Sequence, residues 1–128
     1  MIDHKLQLEV MPDLLAVCRL DRNAPVPPWA TSADFFSITR DADELSVVCP
    51  QELVPDGVRC ESGWRRVRVA GTLDFSMVGV LASLVVPLAQ AKVSVFAIST
   101  YDTDFLLVKE NDLEAAISAL RAAGHEVR

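Results

Sequence analysis

Apolar and polar residues alternate at the start of the chain. Leu6, Leu8 and Val10 are spaced by Lys5, Gln7 and Glu9, the period of a half-buried strand. Pro12-Asp13 reads as a turn, and residues 14–20 as a mostly buried strand. Residues 21–32 carry Asn23, Pro25, Pro27 and Pro28, which predict a loop or a distorted short helix. Residues 35–40 and 45–49 are strands joined by Asp41-Ala42-Asp43-Glu44, a hairpin pattern. Pro50-Gln51-Glu52-Leu53 fits one helical turn with proline at its start. Residues 55–63 read as a linker.

The second half is more regular. Val67 and Val69 alternate with Arg66, Arg68 and Ala70, giving a strand. Residues 75–91 are apolar at almost every position, which predicts a helix buried on more than one side and perturbed at Pro87. Residues 93–99 and 104–109 are strands flanking a turn at 100–103. Asn111 with Glu114 has the spacing of a capping box. Leu113, Ala116, Ile117 and Leu120 then form one helical face, Gly124 fits the helix stop, and residues 125–128 a short last strand. The order strand, helix, strand, strand, helix, strand is the ferredoxin-like split βαβ arrangement, an α+β class.

The two halves resemble each other at an offset of 60 positions. Phe36-Ser37-Ile38-Thr39 aligns with Phe96-Ala97-Ile98-Ser99. Glu44-Leu45-Ser46-Val47-Val48 aligns with Asp104-Phe105-Leu106-Leu107-Val108, and Gln51-Glu52-Leu53 with Asn111-Asp112-Leu113. Self-similarity predicts two related units, residues 1–60 and 61–128, the first without a recognisable helix. A cleft associated with such units suits a small ligand.

Composition narrows the partners. With 128 residues and 51% hydrophobic content, the chain can build a core if its halves pack together. A net charge of −6 argues against nucleic acid and against an anionic membrane surface. The basic run Trp64-Arg65-Arg66-Val67-Arg68 therefore reads as a solvated strand face. Residues 1–5 lack the pattern of a signal peptide, and the apolar stretch at 77–91 is too short and interrupted to span a bilayer. Cys18, Cys49 and Cys60 form no CxxC, and His4 and His125 are not at ligand spacing from them. Reduced, unpaired thiols in a cytoplasmic protein, with no metal and no cofactor, are the expectation.

Residues 65–128 resemble an ACT domain, the βαββαβ module that binds amino acids and controls metabolic enzymes. The segment Ile98-Ser99-Thr100-Tyr101-Asp102-Thr103-Asp104-Phe105-Leu106-Leu107-Val108 resembles a signature of the ACT-like repeats in the CASTOR arginine sensors. The run Gly79-Val80-Leu81-Ala82 resembles the start of the first ACT helix, with Val78 where many ACT domains have proline. The resemblance implies tandem ferredoxin-like ACT repeats with a degenerate N-terminal copy. It implies a small regulatory module, not an enzyme, that binds a free amino acid, pairs as a homodimer and acts on a partner such as a metabolic enzyme. An assembly protein that kept the fold and lost the ligand is the alternative.

Chemistry points to the same segments. An amino acid's carboxylate suits the N–H groups at a helix N-terminus, and its ammonium suits a carboxylate. The stretch entering the apolar helix offers Asp74, Ser76, Val78 and Gly79. The turn after it offers Asp104, with Asp102 in reserve; the resemblance assigns Asp104 to the ligand together with Thr100 and Thr103. Glu44 is the offset-60 counterpart of Asp104, in a half that lacks the helix start. No nucleophile–base pair and no Gly-rich phosphate loop is visible.

Overall fold

A computed structural model describes residues 4–74 and 77–128. Seven strands and two α-helices occur among them: β1 (Gln7–Leu20), β2 (Ser37–Arg40), β3 (Leu45–Pro50), β4 (Cys60–Val69), α1 (Val80–Gln90), β5 (Phe96–Ser99), β6 (Asp104–Lys109), α2 (Leu113–Ala122) and β7 (Glu126–Val127). Short 3-10 turns occupy Pro28–Thr31, Gln51–Leu53 and Glu110–Asp112. The chain forms two compact units: Asp13–Trp64, and Arg65–Arg128 joined by the chain up to Pro12. One unit is thus inserted in the sequence of the other. The units do not coincide with the expected 1–60 and 61–128, because Leu6 and Leu8 are buried in the core of the C-terminal unit.

In the C-terminal unit the predicted βαββαβ order holds, from β4 to β7. Its strand order is β7-β1-β4-β6-β5. The first residues of β1 thus lie between the first and last strands of the series. Gln7 and Leu8 stand beside Glu126 and Val127 in a parallel pair. Amides of Val10, Glu126 and Arg128 close that seam at 2.8–2.9 Å, and Ala70 N–H donates to Gln7 carbonyl at 2.8 Å on the other side. Leu8, Val67, Val69, Leu84, Leu88, Leu106, Val108, Ala116 and Leu120 make the core over which both helices pack.

In the inserted unit the order is β2-β3-β1-β4, around Ala16, Cys18, Ala30, Leu45, Val47 and Cys49. No α-helix lies in it among the described residues.

Several local expectations are corrected. Pro12-Asp13 is not a turn: β1 runs through it. From Gln7 to Arg19 β1 advances one residue more than β4 does from Arg59 to Ala70, judged by the hydrogen bonds Ala70 N–H to Gln7 carbonyl and Arg19 N–H to Arg59 carbonyl. An extra residue lets a strand accept a proline. The Met11 carbonyl is taken by the Arg65 guanidinium, at 3.1 Å from Nε and 3.0 Å from Nη2. The expected linker at 55–63 ends in strand, since β4 begins at Cys60. The capping box is absent: the chain enters α2 through the turn Glu110–Asp112, and no side chain caps the helix. The arginines of the basic run are tied inside the unit. Arg68 meets Glu9 at 3.2 Å, Arg65 meets Glu110 at 3.7 Å, and Arg66 lies 5.3 Å from the centre of the Phe105 ring.

The apolar stretch forms a helix only from Val80, after Gly79 at φ 80°. Left-handed backbone there favours glycine. The helix buries one face, through Val80, Ser83, Leu84 and Leu88, while Val86 stays exposed. Pro87 lies in its last turns and lacks the N–H that would bond the Ser83 carbonyl four residues back. His125 supplies the missing donor. Its buried imidazole accepts from Leu6 N–H at Nδ1 (3.1 Å) and donates from Nε2 to the Ser83 carbonyl (2.9 Å). These partners fix the neutral Nε2–H tautomer.

His125→Ala strands two buried backbone groups, each costing about 1–3 kcal/mol. Urea denaturation should show that loss. Pro87→Ala restores an N–H for Ser83, so the double variant should recover part of it. Strict additivity of the two changes would show that they do not share the Ser83 carbonyl.

Candidate functional site

The site is built on the β5–β6 hairpin, and the hairpin is best read against its counterpart, β2–β3. Arg40 stands opposite Leu45, and Ser99 opposite Asp104, with four residues between in each case. Asp41 N–H donates to the Glu44 carbonyl at 3.1 Å, and Thr100 N–H to the Thr103 carbonyl at 2.8 Å. Equivalent residues are therefore 59 apart in the fold, one fewer than the sequence offset. The buried positions agree: Val47, Val48 and Cys49 in one strand, Leu106, Leu107 and Val108 in the other.

This shift changes the identity of the partners. Glu44 corresponds to Thr103. Asp104 corresponds to Leu45, which is fully buried. The fold accepts a core leucine where the second hairpin carries a carboxylate, so hairpin geometry alone does not demand an acid there. The turns are also closed differently. In the first, the Asp41 carboxylate accepts from the N–H groups of Asp43 (2.8 Å) and Glu44 (2.9 Å), which lowers its pKa. In the second, Thr100 Oγ1 does this work, donating to the Thr103 carbonyl at 3.1 Å and accepting from Thr103 N–H at 3.3 Å.

A cleft of about 220 Å³ opens beside that second turn. Ser99 through Asp104 form one wall, and Leu73, Asp74, Met77 and Val80 the other. Leu73 N–H donates to the Asp102 carbonyl at 2.6 Å, joining the walls. Met77 N–H donates to the Asp74 carbonyl at 3.0 Å. The side chain of Asp104 is half-buried and its Oδ1 accepts from Ser99 Oγ at 2.6 Å.

Four of the expected residues line this cleft: Asp74, Thr100, Thr103 and Asp104. Val78 and Gly79 do not. Val78 is 83% exposed, with its carbonyl held by His4 Nε2 at 2.5 Å, and Gly79 serves the helix start. Ser76 lies outside the described residues. Thr103 turns its hydroxyl to the Val69 carbonyl at 2.8 Å, tying the turn to β4. Sequence reasoning missed Leu73, Met77, Val80, Ser99 and Tyr101 as lining residues. The alternation of β5 would have put Ser99 next to the turn; no signal distinguished Tyr101, which is 80% exposed.

Charge in the cleft is one-sided. Asp74, Asp102 and Asp104 line it, and among the described residues no lysine, arginine or histidine does. Val80, the first residue of α1, lines the cleft as well, and no side chain caps that helix end.

Comparison with known proteins places this arrangement. The family model of the ACT domain matches residues 59–122. The chain belongs to the ACT-domain family. A separate model of an N-terminal domain matches residues 13–57. A rat protein, the cytosolic arginine sensor for mTORC1 subunit 1, is 32% identical over 102 residues, covering 73% of this chain and 31% of that protein. The chain thus spans about a third of the length of that relative. A solved structure from Agrobacterium tumefaciens is 35% identical, with a TM-score of 0.93, covering 98% of this chain and 93% of that one. The regulatory subunit of aspartate kinase from Thermus thermophilus shares the fold at 12% identity and a TM-score of 0.62, covering 91% and 95% of the two chains. These two relatives are named as a sensor and as a regulatory subunit. The mixed α and β architecture with antiparallel hairpins agrees with the ACT family. No helix among the described residues is long and apolar enough to cross a membrane.

Thr103→Val keeps the shape and removes the hydroxyl that holds Val69. It should cost about 0.5–1.5 kcal/mol, the net value of one hydrogen bond. A denaturation midpoint equal to that of the unmodified protein would show that the hydroxyl does not hold the turn.

Proposed function

We propose that the cleft between the 73–80 segment and the 99–104 turn binds a free amino acid, and that the chain is a regulatory module, not an enzyme, that passes its occupancy to a partner. The observation that carries this reading is Asp104. A carboxylate stands half-buried at a hairpin position where the fold's own second example has leucine, and it faces a cleft. In this reading the start of α1 receives the ligand carboxylate and Asp104 receives the ammonium. Asp74 and Asp102 then remain for the ligand's other end. Three acids and no basic group among the lining residues favour an amino acid with a cationic side chain. The rat relative is named an arginine sensor, which makes arginine the first ligand to test, and named cytosolic, which supports a cytoplasmic placement.

The unit at 13–64 is, in the same reading, a degenerate ACT repeat that kept its hairpin and 3-10 turn and lost its helix. The register shared by the two hairpins supports it. A homodimer and a metabolic enzyme as partner belong to the same proposal; the exposed Val78, Val86 and Tyr101 support contact with another chain. They also favour the second reading, an ACT-like assembly protein without ligand.

A ligand at about 100 times its dissociation constant stabilises the fold by roughly 2.7 kcal/mol. The melting temperature should then rise by about 10 °C for a chain of this size. Asp104→Asn should weaken binding by about 1.5–3 kcal/mol, the value of a hydrogen bond to a charged group, and leave the unliganded melting temperature unchanged. If arginine, lysine and the other common amino acids all leave the melting temperature where it was, the assembly reading replaces this one. Binding that persists unchanged in Asp104→Asn would move the site elsewhere.

A further inference from the structure

The three cysteines, separated by 31 and 11 positions in the sequence, meet in the inserted unit. Cys18 is on β1, Cys49 on β3, and Cys60 is the first residue of β4. Cys18 and Cys49 are buried, and Cys60 is exposed. Their mutual placement follows from the ladders. On one side of β1, Cys18 faces Val47 and Ala16 faces Cys49, so Cys18 and Cys49 are diagonal neighbours. On the other side, Arg19 N–H donates to the Arg59 carbonyl at 2.9 Å. β1 and β4 run in opposite directions, since Gln7 is bonded to Ala70. The next opposed pair after Arg19 and Arg59 is therefore Cys18 and Cys60.

Directly opposed residues of an antiparallel pair put their Cα atoms about 4.5–5.5 Å apart with side chains on one face. That interval lies inside the window that a disulfide tolerates, about 4.4–6.8 Å. Two further observations agree. Val58, two residues before β4 begins at Cys60, packs against the core cluster that holds Cys18, which brings the start of β4 to that side. The Cys60 and Cys49 thiols both help to raise the Cys18 thiol, as near neighbours do. Metal binding is not the reading: no group of three histidine, cysteine or acidic side chains among the described residues is arranged to hold an ion.

We propose that Cys60 and Cys18 are a thiol pair that a hydroperoxide converts to a cross-strand disulfide and that a dithiol reductant reopens. Cys60, the exposed member, meets the oxidant. Its thiolate attacks the peroxide O–O bond, taking one oxygen as sulfenic acid while the other leaves as alcohol or water. The Cys18 sulfur then attacks the Cys60 sulfur. The S–O bond breaks, and the hydroxyl departs as water with the proton of Cys18. Two thiols are oxidised and one peroxide is reduced. Burial pushes the Cys18 thiol up to about 12 and raises Cys49 as well, so the buried pair stays protonated and Cys60 alone is open to oxidant. The product links β1 to β4 and closes the chain from residue 18 to residue 60.

Treatment of the full chain with hydrogen peroxide, read by intact mass and by peptide mapping without reduction, tests this. The expected product is monomeric, lighter by two hydrogen atoms, with Cys18 and Cys60 peptides joined, and it reverts with dithiothreitol. Cys60→Ser should abolish the mass loss, and Cys49→Ala should keep it. Oxygen adducts on Cys60 without a cross-link, a Cys18–Cys49 link, or Cys60-linked dimers would each overturn the proposal. Failure of amino-acid binding would leave this result untouched, since none of the three cysteines lines the cleft.

Discussion

One imidazole holds the C-terminal unit together at a point that the backbone leaves open. Pro87 takes a donor out of α1 and frees the Ser83 carbonyl; His125 fills that place and in turn receives the amide of Leu6. A buried carbonyl without a partner is expensive, so the proline in the helix and the histidine after α2 make sense only together. Through that ring the strand from Gln7 is set between β7 and β4, where Leu8 completes the core. The wall of the cleft inherits this order, since α1 and β4 both lead into it.

The cleft shows how one hairpin plan takes on different chemistry. Both hairpins keep the same register and the same buried triplet, because a strand half-buried in a sheet cannot slip by one residue without turning its core face outward. Freedom remains at the turn and at the first residue of the returning strand. There the two hairpins diverge, Asp41 against Thr100 and Leu45 against Asp104. In the second, Ser99 holds one Asp104 oxygen, Thr103 holds the Val69 carbonyl, and Asp102 and Asp104 line the cleft.

Much of this was legible in the sequence. The βαββαβ order of the second half follows from periodicity, since its helices and strands are long enough for period to decide. Both hairpins were legible too, from their alternation and the acidic or polar turns between their strands. What was misread shares a cause: a local signal whose meaning is set by distant partners. Pro12 reads as a turn until β4 is known to run alongside with one residue fewer. Asn111 and Glu114 have capping spacing, yet the turn at Glu110–Asp112 moves the helix boundary past them. The alignment at 60 is one residue off because sequence similarity weighs Glu44 against Asp104, whereas hydrogen bonding pairs turns by their closure. Val78 falls in the right segment, but its side chain points to solvent, and nothing in a linear pattern says which way a loop residue turns.

The insertion of one unit in the other has a consequence for how the protein is made. Residues 6–10 leave the ribosome first among the core strands, but their neighbours in β4 and β7 are synthesised after the whole of residues 13–64. The inserted unit is contiguous and can close on itself while synthesis continues. The N-terminal strand must wait, apolar and unpaired along both edges, for the end of the βαββαβ series. Pairings this distant in sequence are slow to form, and a waiting strand with free edges is a point at which chaperones or aggregation compete with folding.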